Sequence, residues 1–143
     1  VIENLLTSST TRMLEQAVNF TEQRHQVLLE DIANTSTPGY VQKDLSVSQF
    51  QASLRDAVSR QRSSNNDTFA PASTDTIAFS PDSSNITAQP QEVLASPVFH
   101  DRGARGIESL MGDLADNAIA HNTVTQLLKY KYDNLSRAIT MKV

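Results

Sequence analysis

From Ile107 to Ile139 the chain repeats at alternating steps of four and three, through Ile107, Met111, Leu114, Ala118, His121, Thr125, Leu128, Tyr132, Leu135 and Ile139. This is the heptad spacing of a coiled-coil seam, and it predicts one helix of roughly 35 residues, about 50 Å long at 1.5 Å per residue. The charges agree with helix polarity: Glu108, Asp113 and Asp116 lie near its start, and Lys129, Lys131, Arg137 and Lys142 near its end, with Asp133 the exception. A seam of that length needs a partner. The amino-terminal part offers one in Leu14, Val18, Thr21, His25, Leu28 and Ile32, which follow the same steps. The expected fold is therefore mainly α, with long terminal helices paired antiparallel as a coiled-coil-like hairpin.

One stripe per helix suffices for a hairpin, yet both helices carry more. Met13, Phe20 and Val27 form a second stripe about 100° from the first, and Ile119, Leu127, Tyr130 and Met141 lie off the seam of the last helix. Such surface must meet either a short third helix or other protein molecules, so these seven residues are candidate intersubunit contacts. Polar groups interrupt the seams at Thr21, His25, Asn117, His121 and Thr125. With Ala33 near Ser109, antiparallel pairing sets Thr21 near His121 and His25 near Asn117. Buried polar pairs of this kind fix register in coiled coils.

Between the helices the composition changes. Four of the five prolines, Pro71, Pro81, Pro90 and Pro97, fall within a serine- and asparagine-rich stretch that supplies too little apolar surface to offset its ordering entropy. Its apolar residues, among them Phe69, Ile77, Phe79 and Ile86, form short strands or dock on a neighbour; otherwise the stretch is a mobile loop. The organisation expected is an amino-terminal helix over residues 1–35, and a turn, extended segment and short helix over 36–62. A flexible, irregular or partly β middle follows over 63–106, and a carboxy-terminal helix over 107–143.

Composition removes most chemical functions. Cysteine is absent, so disulfides, thiolate metal sites and cysteine nucleophiles are excluded. Three histidines without acidic or histidine partners at ligand spacing make no metal site. A formal charge of −4 argues against a dedicated nucleic-acid binder. No Gly-x-Ser-x-Gly element presents a nucleophile, and Gly103 and Gly106 form no phosphate-cradling loop. The carboxylate pairs Glu30-Asp31 and Asp113/Asp116 read as solvated helix faces. No run of about 18 apolar residues and no cleavable leader pattern is present, and the chain is read as non-enzymatic, without cofactor or small-molecule substrate.

The most informative local feature is Ile32-Ala33-Asn34-Thr35-Ser36-Thr37-Pro38-Gly39-Tyr40. Pro38 keeps Thr37 out of the α conformation, so the helix ends near Asn34. Pro38-Gly39 suits the centre of a type II turn, because glycine accepts positive φ. Tyr40 to Leu45 then runs extended, and Ser46 with Gln49 forms a capping box for a short helix bearing Phe50, Leu54, Ala57 and Val58.

Ala33-Asn34-x-x-Thr37-Pro38-Gly39-Tyr40 after an amphipathic amino-terminal helix resembles the signature of flagellar rod and hook axial proteins. Arg24, Leu28, Lys43-Asp44-Leu45, Phe50, His100-Asp101, Leu114-Ala115-x-Asn117 and Thr125-Gln126-Leu127-Leu128 narrow the likeness to the proximal-rod members. It covers both terminal regions, about two thirds of the chain. The chain departs from the family at Asp31, often asparagine, and over Arg102 to Glu108. The resemblance implies a structural subunit of the bacterial basal-body rod, exported through the flagellar type III apparatus without a cleaved signal peptide and located in the periplasm. Its partners would be other copies of itself, other rod proteins, and the MS-ring/rod adaptor and export-gate proteins. A different rod subunit of the family, or a free-standing coiled-coil adaptor, stays open as an alternative.

Overall fold

The computed structural model describes residues 9–64, 69–80, 85–93 and 106–141. Within them run α1 (Ser9–Asn34), β1 (Lys43–Asp44), α2 (Val47–Ser64), β2 (Ile77–Phe79), β3 (Ile86–Ala88), β4 (Gln91–Glu92) and α3 (Ile107–Thr140). The fold is mainly helical, with long helices toward both termini and short strands between. The sequence motif Arg102 to Arg105 and the residues His100 and Asp101 lie outside the described residues, as do Lys142 and residues 1–8.

Helix α1 stops where proline dictates. The Asn34 side-chain amide donates to the Glu30 carbonyl at 2.9 Å and the Thr35 hydroxyl to the Asp31 carbonyl at 2.8 Å, so two carbonyls of the last turn find local partners. The backbone N–H of Tyr40 donates to the Thr37 carbonyl at 3.2 Å, and Gly39 has a φ of 80°. That is a type II turn with glycine at the position needing positive φ. A side chain at Gly39 would meet open space, so the cost of replacing it is backbone strain alone.

Ser46 caps α2, its hydroxyl accepting from the Gln49 N–H at 3.3 Å. The reciprocal half of the capping box is not made. Gln49 instead accepts through Oε1 from the Thr76 hydroxyl at 3.4 Å, tying α2 to the middle segment. That segment is more ordered than its composition suggests. β2 and β3 form an antiparallel hairpin with Ile77 opposite Ala88 and Phe79 opposite Ile86, while β4 returns to pair antiparallel with β1, Lys43 opposite Glu92. The partly β middle expected over 63–106 is thus found in residues 69–80 and 85–93. Phe69, Ile77 and Ile86 are buried against α1 and α2, which supplies the apolar burial the segment lacks alone.

The core shows why. Phe20 of α1 stacks on Phe50 of α2 with centroids 4.1 Å apart, and Phe50 stacks on Phe79 of β2 at 6.4 Å. Val27, Leu45, Leu54, Ala57, Phe69, Ile77 and Ile86 complete the cluster, with Met13 packed at its margin. Phe20 and Val27 are therefore covered by their own chain, and their assignment to intersubunit contact is overturned, while Met13 is half-buried at the edge of the cluster and open on one side. Helix α3 lies against a second face of α1, about 100° around the helix from the first, where Leu28 and Leu110 are fully buried. Replacing Phe50 with alanine removes the middle ring of the stack, and denaturant titration should show a loss of about 3–5 kcal/mol. A loss below about 1 kcal/mol would contradict the core described here.

Candidate assembly surfaces

The contact between α1 and α3 is antiparallel and partly polar. The Thr21 hydroxyl has one proton, directed at the Val18 carbonyl (2.9 Å) or the Ala17 carbonyl (3.0 Å). Its oxygen also lies 2.9 Å from His121 Nδ1, a hydrogen bond that joins the two helices. Buried Asn117 donates through Nδ2 to the Thr21 carbonyl at 2.8 Å, a backbone group already inside a helix. Farther along, the Tyr132 hydroxyl donates to the Glu15 carboxylate. Three polar links thus run between the helices. Asn117 reaches α1 one turn from His25, which lines a cleft of about 310 Å³ with Glu22, Gln26, Ala118, His121 and Asn122. Among the described residues no three histidine, aspartate or glutamate side chains come together as metal ligands.

The seam on α1 runs as its spacing indicates: Thr21 and Leu28 are buried, and Leu14, Val18, His25 and Ile32 half-buried. On α3 the structure uses a stripe displaced by one residue in every second position. Leu110, Leu114, Asn117, His121, Val124, Leu128, Lys131 and Leu135 are its buried or half-buried members. Leu114, His121, Leu128 and Leu135 belong to both stripes. Ala118 is half-buried at the cleft margin and Tyr132, though exposed, reaches across to Glu15, but Ile107, Met111, Thr125 and Ile139 are exposed, and their placement in the seam is corrected. The reason is chemical. Asn117 and Lys131 read as polar interruptions in a hydrophobic count, yet one bonds the α1 backbone and the other has an aliphatic stem to lay on the helix.

The opposite face of α3 carries the large exposed side chains. Ile119 is 65% exposed, Tyr130 66%, Leu127 51% and Met141 88%. Ile119, Tyr130 and Met141 are spaced by eleven residues, which at about 100° per residue keeps them within about 40° of one another. That line is about 140–180° from Leu128, so α1 cannot cover it.

The turn motif plays a local role. Ala33, Thr37, Pro38 and Gly39 are exposed, and the Asn34 carbonyl accepts from the Thr37 N–H at 2.9 Å while its Oδ1 accepts from the Thr37 hydroxyl at 3.3 Å. Tyr40 reaches back to α1, its hydroxyl donating to Asp31 Oδ1 at 2.9 Å. The backbone N–H of Lys43 donates to both Asp31 oxygens, at 3.1 and 3.2 Å. Asp31 is fully buried, which overturns its reading as part of a solvated carboxylate pair. Its neighbour Glu30 is exposed, as expected. Two further α1 side chains hold the extended strands. Arg24 grips Asp44 with both fork nitrogens, at 3.1 and 3.2 Å. Gln23 behaves as a strand rung, donating to the Ile86 carbonyl at 2.9 Å and accepting from the Ala88 N–H at 2.7 Å. Helical spacing hides these residues, because their partners, the Asp44 carboxylate and the backbone of β3, are distant in sequence. Arg24 and Asp44 belong to the flanks of the family resemblance, which was the one signal available.

Neither a protein-family model nor a curated protein matches the chain.

Two phenols are held neutral. Burial, the hydrogen bond to Asp31 and the charges of Asp31 and Glu30 push Tyr40 well above its ordinary range. The Glu15 hydrogen bond, then burial and the Glu15 charge, push Tyr132 up to about 12. A phenol whose folded value is raised stabilises the fold fully below about pH 10, its unfolded value, and loses that contribution as pH climbs through the folded value. Tyrosinate absorbance should therefore show Tyr132 ionising near pH 12, falling toward about 10 in Glu15→Gln. An unchanged titration in that variant would remove the link between the helices at Glu15.

Proposed function

We propose that this protein is a structural subunit of the bacterial flagellar basal-body rod, of the proximal-rod (FlgB) type. It polymerises through its terminal helices into the shaft that carries torque across the periplasm. The observation that carries this reading is the uncovered line Ile119, Tyr130 and Met141 on the face of α3 turned away from α1. Scattered apolar side chains on a surface are ordinary, whereas three aligned on one face of a long helix are the pattern of a helix that is completed by other protein. The motif around Tyr40, with the resemblance it carries, supplies the family. In a tubular assembly each subunit meets several neighbours through unlike surfaces, so one helix can bury one face within its chain and another between chains.

The role is mechanical and non-enzymatic, and calls for no cofactor, nucleic acid or small-molecule substrate. Other copies of the chain, other rod proteins, the MS-ring/rod adaptor and the export gate are its partners, reached by type III export without signal-peptide cleavage. No described helix is long and apolar enough to cross a membrane. A different rod subunit of the family would call for the same uncovered face, whereas a free-standing coiled-coil adaptor would not need copies of itself.

Leu127→Asp and Tyr130→Asp place charge on the uncovered face without touching the α1 contact. Each should leave the helicity and melting of the purified monomer unchanged while abolishing rod assembly and motility in the parent bacterium. Normal motility in both variants would end the rod reading.

A further inference from the structure

Beside the hairpin, α1 and α2 enclose an open groove of about 800 Å³ with an apolar floor of Met13, Leu54 and Val58. Arg55 and Arg62 rim it, both exposed, and among the described residues neither forms an ion pair. They are seven residues apart on one helix, two turns or about 10.5 Å. Such a groove favours an amphipathic helix carrying two acids two turns apart.

The chain itself offers that helix. Between residues 106 and 128 there is no lysine or arginine, while Glu108 and Asp116 stand eight residues apart, about 12 Å. Both are exposed, and between them Met111 and Ala115 project with Ile119 beyond. Gly112 sits among these with open space where a Cβ would point, so another backbone can approach closely. α3 meets α1 through Leu110 and Asn117, which leaves this acidic and apolar face turned outward.

Within one molecule the two surfaces cannot meet. Met13 lies eight residues before Thr21, and Glu108 nine residues before Asn117, which bonds Thr21. Because the helices run antiparallel, groove and acidic face are separated by about 20 Å or more along α1.

We infer that a second copy of this chain seats the start of its α3 in the α1–α2 groove. Its Glu108 and Asp116 then meet Arg55 and Arg62 around an apolar centre. The contact joins unlike surfaces, so it passes head to tail from copy to copy, as a ring where the rotation closes and as a filament where it does not. The inference deepens the assembly reading above and rests on it. Steering by opposite charge makes the contact sensitive to salt.

The test uses the purified full chain in sedimentation velocity at about 50 mM and about 500 mM NaCl, where the screening length shrinks severalfold. The wild type should associate at low salt and dissociate at high salt. Arg55→Glu/Arg62→Glu and Glu108→Lys/Asp116→Lys, all at exposed positions, should each remain monomeric with unchanged circular dichroism. An equimolar mixture of the two should associate again, because each then meets a complementary charge. A wild type monomeric at both salts, variants that associate like wild type, or a mixture that stays monomeric would overturn the contact. If the mixture stays monomeric while Leu127→Asp abolishes motility, the groove contact fails and the rod reading stands. If the mixture associates while Leu127→Asp swims normally, the contact stands and the rod reading fails.

Discussion

Phe20 and Leu28 sit on one helix and are buried by different parts of the chain, and the rest of the structure depends on that double use of α1. On one side the Phe20–Phe50–Phe79 stack gathers α2 and the β2–β3 hairpin. On a second face, Leu28 and Thr21 receive α3. Hydrophobic contact alone is non-directional, so it does not say where along α1 each element rests. Polar groups supply the position. Gln23 fixes the height of β3, Arg24 that of Asp44, and Asp31 that of the chain leaving the turn.

Asp31 shows how the turn and the core are coupled. A buried carboxylate is costly unless its oxygens are occupied, and here they accept from the Tyr40 hydroxyl and the Lys43 backbone. Pro38 and Gly39 make the reversal geometrically easy, while Tyr40 and Lys43 make it pack. The rise in the Tyr40 ionisation range is the electrostatic signature of the same contact.

Much of this was legible in the sequence. The end of α1 follows from Pro38, the turn from Gly39, the start of α2 from Ser46, and the two long helices from the four-three spacing of their apolar residues. The covering of Phe20 and Val27 was not legible, because the residues that cover them lie in a segment whose composition reads as loop. Phe69, Ile77 and Ile86 gain order only by burying against α1 and α2, a long-range effect that a local window cannot weigh. Nor does periodicity choose between two stripes on α3 that share Leu114, His121, Leu128 and Leu135. Met111, Ala118, Thr125 and Tyr132 make the more apolar alternative, yet Asn117 finds a backbone carbonyl and settles the rotation of the helix.

That rotation has consequences for what remains outside. Had α3 turned about one residue step, or about 100°, the line Ile119, Tyr130 and Met141 would face elsewhere and the acidic pair Glu108 and Asp116 with it. Instead the Asn117 hydrogen bond and the Glu15–Tyr132 link hold α3 so that its apolar line and its acids both point away from α1. Basic side chains gather at the other end, where Arg55 and Arg62 rim the groove beside Met13 of α1, and where Lys129, Lys131 and Arg137 fall in the part of α3 that Tyr132 ties to Glu15. A molecule with an acidic start to one helix and a basic groove at its far end is electrically polar along its length. Copies laid side by side in the same direction repel, and attraction comes where the acidic start of one α3 reaches the basic groove of the next, so the charge pattern fixes which ends of neighbouring copies meet.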